Sequence, residues 1–439
     1  MSYTQVIQDT LDYVELNLKA ELSADELAAR AGFSLFHFYR LFLQCTGMPV
    51  MQYIVRRRLV HAIYEISSGR KQIDTALEFG FYTHSGFYKA FLREFDLSPT
   101  EYLRRFPVKR PHGINLRQEA HMITHSKLKE ILKNWDLNAA LTVTDVFVGG
   151  ANELKCDTEW HVNGSYSLQT GINFTGLKTQ LAVAKALSDA GFTIALPVRT
   201  TNGNDYVTDG ERYFCLFNRL EGENLTYKDI FRGDFKSNAL YLGEVIGYLH
   251  KALSDCSSDT IYNEVNLFDT VMRWAMPKTK EYLSKNNLSL PPSFYDDYIT
   301  VFGSLYPKLP LQVIHRNLHP GNIVFKEGKL TGFINFEISE RNVRLFDPCY
   351  CSTAILSDSF AENNSDLLAK WPEIVACIIA GYDSISALTE EEKKSIPYVI
   401  YSIQMIFIAY CSGREKESAL AEVNGKMLLW IYENRHLFA

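Results

Sequence analysis

The sequence predicts a multidomain protein in which an all-α double helix-turn-helix domain precedes an α+β domain built of two lobes. A helix, a Gly-Phe turn and a second helix occur twice, with Gly32 and Gly80 at equivalent positions. From about Ile123 the helical pattern gives way to short β-rich runs, and from about Asn224 the chain reads as helices again. A chain of 439 residues is long enough for two or three domains with sizeable cores.

The composition is that of a globular protein of the cytoplasm. Hydrophobic residues make up 46% and charged residues 22% of the chain. The eight cysteines show no CxxC or zinc-ligand spacing, so we expect reduced thiols and no metal site. The first residues lack a basic segment followed by an apolar run, so we expect no signal peptide. Residues 398–411 are too few and too polar to span a bilayer, so we expect a buried helix there and no membrane partner.

The charge is distributed unevenly along the chain. The whole protein has a net charge of −6, yet residues 1–110 contain 14 Lys and Arg against 12 Asp and Glu. This small basic surplus permits the first part to bind nucleic acid but does not establish that it does.

The first helix pair has clear start and stop signals. Ser23 is a good N-cap, and Glu26 three residues later completes a capping box. Gly32 ends that helix, and Ser34 begins the next one, which reads LFHFYRLFLQCTG.

The second copy reads IDTALEFGFYTHSGFYKAFLREFDLSP and repeats the same spacing of Ala, Gly-Phe, Phe, Phe and Pro. The intervening segment, VMQYIVRRRLVHAIYEISSG, is long enough to form one helix that joins the two units. We expect the repeated aromatic residues to be core: Phe38, Phe42, Phe87 and Phe91.

Two helix-turn-helix units joined by one helix resemble the AraC family of transcription regulators over roughly residues 5–106. The most specific part is the second copy with its ending SPTEYLRR. The resemblance implies that double-stranded DNA is a partner and that each second helix enters a major groove, about one helical turn apart. Carried over position by position, it implies these base-reading residues: Phe36, His37, Arg40, His84, Ser85 and Lys89.

The chemistry of these side chains suits base recognition. Arg40 and Lys89 can reach guanine acceptors or phosphate, and Phe36 can meet a thymine methyl group. The alternative for each is a solvated or phosphate-contacting side chain. Further candidates for phosphate contact are Arg56, Arg57, Arg70, Lys71, Arg104 and Arg105.

The next segment, FPVKRPHGINLRQEAH, lacks a clear period and reads as an interdomain connection. The β-rich runs that follow are LTVTDVFVGG, ELKCDTEWHV and YSLQTGIN, then a helix TGLKTQLAVAKALSDAG, then further strands. Five strands with one helix after the third, before an all-helical remainder, are typical of the two lobes of kinases. The predicted domains are therefore a helix-turn-helix domain at 1–106, a linker at 107–122, a small lobe at 123–223 and a large lobe at 224–439.

Two loops carry a second resemblance. The chain reads HRNLHPGN at residues 315–322 and INFE at residues 334–337. These are similar to the H-x-D-L-H-P-x-N and I-D-[FW]-E motifs of the aminoglycoside phosphotransferase and choline-kinase-like superfamily. The resemblance covers roughly residues 125–439, strongly in the two loops and loosely in the small lobe, and implies a protein-kinase-like bilobal fold.

In that superfamily a strand lysine, a helix glutamate, a loop aspartate and a metal-holding aspartate carry the reaction. The resemblance aligns these four positions with neutral amides. An amide cannot act as a base and is a weak magnesium ligand, and losing one such group typically costs about 10²–10³ in rate. We therefore expect a pseudokinase without catalytic residues, without a bound metal and without a required cofactor. The degenerate positions are Gln169, Gln180, Asn317 and Asn335.

Other interpretations of these positions remain. Gln169 and Gln180 also fit as ordinary glutamines, and Lys178 and Lys185 leave the alignment of the strand lysine open. Replacement carboxylates are conceivable at three later positions, of which Asp347 instead matches a structural position in the superfamily. The candidates are Glu337, Glu340 and Asp347.

The function we expect is a DNA-binding transcription regulator whose kinase-like domain senses a small-molecule effector, with a homodimer as a further candidate partner. The cleft is expected to accept an uncharged or anionic ligand more readily than a cationic aminoglycoside, and any nucleotide binding is not expected to depend on magnesium. One alternative is an active small-molecule phosphotransferase fused to a DNA-binding domain. Another is a kinase-like module used only for dimerisation or partner recruitment. The candidate pocket residues are His315, Arg316, Asn317, His319, Asn322 and Asn335.

Overall fold

The protein is described here by a computed structural model. The chain divides into two compact units, which are described separately below. Unit 1 comprises Met1–Ile172 and Pro197–Arg219, and unit 2 comprises Asn173–Leu196 and Leu220–Ala439. The domain bounds expected from the sequence stay a prediction. The structure describes residues 3–95, 97–105, 108, 111, 116, 123, 125–137, 141–145, 148–150, 153–155, 159–254, 263–361, 365–414 and 418–437.

Unit 1 begins with the two predicted helix-turn-helix units, α2–α3 and α5–α6, joined by the long helix α4. Helix α1 precedes them, α7 closes the helical part, and α8 follows the linker. The helices are α1 Tyr3–Leu16, α2 Ala24–Ala31, α3 Leu35–Thr46, α4 Val50–Ser67, α5 Gln72–Glu78, α6 His84–Phe95, α7 Pro99–Arg105 and α8 His125–Leu132.

Local chemistry explains where these helices begin and turn. The Ser23 side chain accepts from the backbone N–H of Glu26, and Ser34 caps α3 in the same way. The Gly80 turn favours glycine because its φ is +79°, in the left-handed region. The predicted aromatic core is confirmed, since all four of its residues are buried: Phe38, Phe42, Phe87 and Phe91.

The rest of unit 1 is a five-stranded antiparallel sheet in the order β1-β4-β5-β7-β6, with β2 and β3 forming a separate hairpin. One face of the sheet packs against α8, where Trp135, Trp160 and Leu168 are buried together. The sequence predicted three strands before the helix at residues 174–189. Two of the three runs each form two strands, so five strands precede that helix. The strands are β1 Val143–Asp145, β2 Val148–Gly150, β3 Glu153–Lys155, β4 Glu159–Val162, β5 Tyr166–Gly171, β6 Val207–Asp209 and β7 Arg212–Asn218.

Unit 2 is mostly helical and contains one large hydrophobic core. Two of its helices include short π-helical segments, at Val271–Ala275 and Tyr298–Phe302. Its helices are α9 Phe174–Asp189, α10 Tyr227–Ile230, α11 Phe235–Ser254, α12 Leu267–Thr270, α13 Met276–Lys285, α14 Pro292–Asp297, α15 Gly303–Leu305, α16 Phe346–Ala361, α17 Ser365–Ile385, α18 Glu390–Ser412 and α19 Ser418–Glu433.

Short strand pairs hold the two motif loops of unit 2. Strand β9 (Leu311–Ile314) pairs with β12 (Glu340–Val343), and β10 (Ile323–Lys326) pairs with β11 (Lys329–Phe333) and with the short strand β8 (Glu223–Asn224). The first motif loop joins β9 to β10, and the second joins β11 to β12. This arrangement brings the two loops side by side within unit 2.

Helix α18 contains the apolar stretch noted in the sequence. By length and composition alone, this one helix among the described residues could cross a membrane, with a mean hydropathy of 1.4 over its most apolar window. In the fold 67% of that window is buried, and the helix packs within the core of unit 2. The prediction of a buried helix is confirmed.

Candidate functional site

The two second helices, α3 and α6, present most of the predicted base readers to solvent. Phe36 is 80% exposed on α3. Four other predicted base-reading residues are also exposed: Arg40, His84, Ser85 and Lys89.

His37 differs from the other predicted readers. Its side chain is half-buried, and its ring packs edge-on against Phe33 with centroids 5.0 Å apart and against Tyr3 at 6.2 Å. His37 therefore contributes to packing between the start of α1 and α3. Its role as a base reader stays a prediction.

The structure adds exposed side chains on the same two helices that the motif comparison did not select. Tyr39 and Gln44 lie exposed on α3, and Tyr88 lies exposed on α6 beside Lys89. Tyr82, in the turn before α6, is 95% exposed. Helical spacing could have found the first three, because residues three or four apart share a face: Tyr39 lies three residues after Phe36, Gln44 four after Arg40, and Tyr88 four after His84.

Two of the expected phosphate contacts are wrong. Arg56 and Arg57 are 3% and 6% exposed, and both are held in ion pairs inside unit 1. Arg56 pairs with Glu94 at 3.2 Å, and Arg57 Nε lies 2.5 Å from Glu15 Oε1. Three adjacent arginines in a sequence look like a basic surface, but here the helix turns the first two inward.

The other phosphate candidates keep solvent access to different degrees. Arg70 forms ion pairs with Glu65 and Glu78, while Lys71 and Arg104 are exposed. The side chain of Arg105 lies outside the described residues. As phosphate contacts, four residues stay predictions: Arg70, Lys71, Arg104 and Arg105.

Glu15 is the centre of a buried network that stabilises the helical part. Arg57 Nη2 donates to its Oε2 at 2.8 Å, Tyr53 donates to Oε1 at 3.1 Å, and His61 Nε2 lies 3.2 Å from Oε2. Burial alone would raise the pKa of Glu15, but the hydrogen bonds from His61 and Arg57 outweigh it and lower the pKa to about 2.

In unit 2 the buried carboxylate of Asp347 fixes the first motif loop. Its Oδ2 accepts from the backbone N–H of His315 at 2.7 Å, and its Oδ1 accepts from the backbone N–H of Arg316 at 2.9 Å. His250 Nε2 lies 2.9 Å from Oδ2, while its Nδ1 lies 2.8 Å from the hydroxyl of Tyr382. Asp347 is fully buried and fully engaged, so it does not replace a lost catalytic carboxylate.

His315 joins the two motif loops. Its Nε2 donates to the backbone carbonyl of Ile334 at 2.9 Å, and its Nδ1 accepts from the backbone N–H of Asn317 at 3.3 Å. Burial lowers the pKa of His315, and the nearby charge of Asp347 opposes that shift only in part. The imidazole is thus neutral and serves to hold the loops together.

Arg316 points its charge into the protein. Its Nε lies 2.8 Å from Glu340 Oε1, and its guanidinium lies 4.2 Å from the ring centroid of Phe346. Its φ of +73° reverses the chain after β9. Burial raises the pKa of Glu340, an effect that the charge of Arg316 opposes. The pair leaves neither an exposed cation nor an exposed carboxylate for a ligand.

Three asparagines form a connected set that we call the amide clasp: Asn317, Asn322 and Asn335. Asn322 is 2% exposed; its Nδ2 donates to the backbone carbonyl of Asn317 at 2.7 Å, and its Oδ1 accepts from Asn335 Nδ2 at 2.8 Å. A backbone carbonyl can only accept, so Asn322 must turn its NH₂ towards Asn317 and its oxygen towards Asn335. Asn335 must then present its own NH₂.

The backbone also suits an asparagine at the end of the clasp. Asn335 has a φ of +68°, in the left-handed region that asparagine and aspartate adopt more readily than other non-glycine residues. The same backbone would accept the aspartate found in the family motif. Asparagine and aspartate at this position differ only in charge and in the N–H donor, which aspartate lacks.

The side chain of Asn317 is held from the other side. Tyr350 donates its hydroxyl to Asn317 Oδ1 at 3.1 Å, and the Tyr350 ring stacks on Phe407 with centroids 5.7 Å apart. Burial raises the pKa of Tyr350 to about 12, so the phenol remains a donor at neutral pH. His319 is also uncharged, because burial lowers its pKa to about 4.

These residues do not fit a magnesium ion. Magnesium prefers several oxygen ligands with carboxylates among them, whereas the clasp offers only amides and directs an NH₂ group at Asn322 Oδ1. No cluster of three or more metal-ligating His, Cys, Asp or Glu side chains occurs among the residues that the structure describes.

Gln169 and Gln180, the two degenerate positions expected in the small lobe, have different surroundings. Gln169 lies on β5 opposite Glu159 of β4, and Glu159 accepts hydrogen bonds from Gln169 and, at 2.5 Å, from Ser167. Burial raises the pKa of Glu159, and these two hydrogen bonds oppose that shift. The cross-strand partner Glu159 escaped the motif comparison, although strand register could have suggested it.

In unit 2, Gln180 is 8% exposed on α9. Lys178 and Lys185 of the same helix are exposed. The glutamine is therefore a core-facing residue of its helix, whereas the two lysines face outward. That Gln169 and Gln180 mark lost catalytic positions stays a prediction.

Comparison with family models assigns both parts of the chain. Residues 27–105 match a family described as a helix-turn-helix domain, and residues 173–373 match the phosphotransferase enzyme family.

Known regulators resemble the first part over most or all of their length. Regulatory protein SoxS of Salmonella typhimurium is 31% identical over 106 residues, which are 24% of this chain and 99% of SoxS. The HTH-type transcriptional activator AarP of Providencia stuartii is 35% identical over 100 residues, which are 23% of this chain and 74% of AarP.

A solved structure resembles the second part. The microcompartment-associated aminopropanol kinase superposes with a TM-score of 0.51 at 14% identity, over 70% of this chain and 96% of that kinase. This likeness concerns the fold alone. The predicted fold class is confirmed, with a helical helix-turn-helix region followed by a mixed α/β kinase-like domain.

Proposed function

Because the chain belongs to the AraC-type family of helix-turn-helix transcription regulators and carries a phosphotransferase-family domain, we propose that it is a regulator with a sensor that has lost phosphotransfer. The helix-turn-helix domain binds DNA, and the kinase-like domain binds a small effector molecule without transferring phosphate.

The DNA-binding side is supported by the exposed faces of α3 and α6. Phe36 and Arg40 face solvent from α3, and Ser85 and Lys89 face solvent from α6. Two such helices one turn of DNA apart read successive major grooves in helix-turn-helix proteins. The two relatives named above are a regulatory protein and a transcriptional activator, in agreement with this assignment.

The observation that carries the loss of phosphotransfer is the hydrogen bond from Asn335 Nδ2 to Asn322 Oδ1. An aspartate at position 335 would set a carboxylate oxygen against that amide oxygen, two acceptors that a cation must bridge. In this chain an N–H group takes the place of the cation. The two side chains therefore satisfy each other directly.

Asn317, at the position of the family's catalytic aspartate, supports the same conclusion. Asn317 has no basic group, and its Oδ1 is occupied by the hydroxyl of Tyr350. Removing a single catalytic group of this type costs about 10²–10³ in rate, and losses at several positions leave little activity even without strict additivity.

The sensing role is supported by what the clasp leaves available. Among the described residues, Asn317 Nδ2 and Asn335 Oδ1 are a donor and an acceptor without a protein partner. The nearby charges of Arg316 and Glu340 are paired with each other, and His319 is neutral at physiological pH. We therefore assign the effector to the class of uncharged polar molecules. The sequence had left both uncharged and anionic ligands open.

A phosphotransfer assay tests the inactivity. The full chain is incubated with ATP, magnesium and a panel of aminoglycosides and small alcohols, beside the Asn317→Ala variant. We expect the same background rate from both proteins. Turnover by the wild type that Asn317→Ala abolishes would refute the assignment.

A DNA titration tests the regulator assignment. The full chain is titrated with duplex DNA from upstream of its own gene at several salt concentrations. We expect binding that weakens as salt rises, as phosphate contacts require. Absence of salt-dependent binding to this DNA would contradict the assignment.

A further inference from the structure

The turn of the second helix-turn-helix unit is one residue longer than the turn of the first. In the first unit the helix cap, Ser34, follows the turn glycine Gly32 by two residues. In the second unit Thr83 follows Gly80 by three residues, and its Oγ1 accepts from the backbone N–H of Gly86 at 2.9 Å, as the side chain of a helix cap does. The second turn therefore contains one residue that has no counterpart in the first.

The additional residue is Tyr82. The residue after each turn glycine is a phenylalanine that packs against the core, Phe33 in the first unit and Phe81 in the second. Beyond the caps the two units match again, because Phe38 and Phe87 each lie four residues after the cap and are fully buried. Tyr82 is thus inserted between a matched phenylalanine and a matched cap.

Tyr82 is open to solvent and lies next to the predicted base readers of α6. Its side chain is 95% exposed, so the packing of the domain does not depend on its hydroxyl. Only Thr83 separates it from His84 and Ser85, the first two residues of α6, which are also exposed. Helix-turn-helix proteins direct this end of the second helix towards the base edges. Tyr82 therefore lies beside DNA when α6 occupies a major groove.

The turn that carries Tyr82 rests on an anchored side chain, Arg58 of α4. Arg58 Nε donates to the backbone carbonyl of Leu18 at 2.9 Å, and its Nη2 donates to that of Ala20 at 2.7 Å. Its Nη1 lies against Gly80, 2.8 Å from the position that a Cβ of this residue would take. Because the turn is supported in this way, little ordering of its backbone is required when Tyr82 meets a ligand.

We propose that Tyr82 is a DNA-contact residue whose phenol hydroxyl donates a hydrogen bond to a phosphate oxygen beside the groove that α6 enters. Tyrosine is one of the uncharged side chains that bind phosphate oxygens in protein–DNA complexes. A phosphate oxygen only accepts, whereas base edges offer donors and acceptors that a rotating hydroxyl does not distinguish. The contact positions the second helix-turn-helix unit on the duplex and has no equivalent in the first turn. It rests on the proposed binding of DNA by this domain.

A phenol contact differs from a lysine contact in its response to salt. Each phosphate that a lysine or arginine neutralises releases counterions, so losing one such contact reduces the slope of log affinity against log salt by about one. A phenol hydroxyl is uncharged, so its loss lowers the affinity by the same factor at every salt concentration. Because phosphate carries no sequence information, the loss is also equal for different duplexes.

Fluorescence anisotropy of the full chain with labelled duplex DNA tests the contact in the wild type and in Tyr82→Phe. The two duplexes are DNA from upstream of its own gene and an unrelated sequence of the same length, each at several salt concentrations. Lys89→Ala is the charged reference. The matched control is Tyr248→Phe, which removes the hydroxyl of a half-exposed tyrosine on α11 of unit 2.

We expect Tyr82→Phe to weaken binding to both duplexes about five-fold, as the loss of one neutral hydrogen bond requires, without a change in the salt slope. Lys89→Ala should instead reduce the slope, and Tyr248→Phe should change neither the affinity nor the slope. The urea midpoint of Tyr82→Phe should equal that of the wild type, because the change is confined to an exposed side chain.

An affinity of Tyr82→Phe equal to that of the wild type would overturn the contact. A weakening confined to one duplex would also overturn it, since a base contact has that effect, and a reduced salt slope would rule out an uncharged donor. A wild-type protein that binds neither duplex would overturn the proposed DNA binding and the Tyr82 contact with it. Failure of the Tyr82 contact alone leaves wild-type binding in place, so the two failures are distinguished.

Discussion

Replacing Asn335 by aspartate tests the amide clasp by restoring the residue of the family motif. The change keeps the shape of the side chain and suits the backbone φ of +68°. It replaces the N–H that now lies 2.8 Å from Asn322 Oδ1 by a carboxylate oxygen. The variant thus loses one hydrogen bond and leaves an acceptor of a buried residue unsatisfied.

The size of the effect follows from those two losses. The lost hydrogen bond contributes about 0.5–1.5 kcal/mol, and an unsatisfied buried acceptor costs about 1–3 kcal/mol. We therefore expect Asn335→Asp to lower the free energy of unfolding of unit 2 by about 1.5–4.5 kcal/mol without a divalent cation. Magnesium should recover part of this loss, because a carboxylate beside an amide oxygen is a better ligand pair than two amides.

Urea unfolding of the full chain with and without magnesium measures this, followed by fluorescence of the tryptophans in unit 2: Trp274, Trp371 and Trp430. Asn335→Ala is the control. It loses the same hydrogen bond and adds a backbone cost of about 1–2 kcal/mol at positive φ, but it should show no recovery with magnesium. An Asn335→Asp variant as stable as the wild type without magnesium would refute the reasoning, as would an equal magnesium response in the wild type.

The remaining predictions concern both units. Lys89→Ala should weaken binding of the full chain to DNA by about 10-fold or more and reduce its salt dependence, measured by fluorescence anisotropy; an unchanged affinity would remove Lys89 from the interface. The pKa of Glu15 is lowered to about 2, so its ionised form contributes about 3 kcal/mol to the free energy of unfolding. This contribution is complete above pH 4.5 and is lost as the pH falls towards 2. Acid unfolding followed by circular dichroism should show this loss in the wild type and not in Glu15→Gln. Asp347→Asn should destabilise unit 2 by about 3–5 kcal/mol, since it disturbs His250 and two backbone donors; a urea midpoint within error of the wild type would contradict the anchoring role.

The sequence was sufficient for features that depend on local chemistry. The helix-turn-helix units follow from caps and turns such as Ser23, Ser34 and Gly80, each of which acts within a few residues of chain. The motif loops follow from a dense pattern of identities around Asn317. Local signals of this kind do not need a partner from elsewhere in the fold.

The features that escaped the sequence depend on distant partners. Arg56 and Arg57 resemble a basic surface until Glu94 and Glu15 are brought against them, 38 and 42 residues away. The direction of the Asn335 amide could not be predicted either, because it follows from which atom of Asn322 faces it. Both features depend on which residues the fold brings into contact and on how their side chains are oriented.

The most direct test of the central claim is calorimetric titration of the wild-type full chain with ATP in the presence and absence of magnesium. If the amide clasp has replaced the metal, magnesium leaves the heat and affinity of nucleotide binding unchanged, whether that binding is measurable or below detection. If magnesium instead strengthens ATP binding about ten-fold or more, a gain of about 1.4 kcal/mol, the domain has kept a working metal site and the account is contradicted.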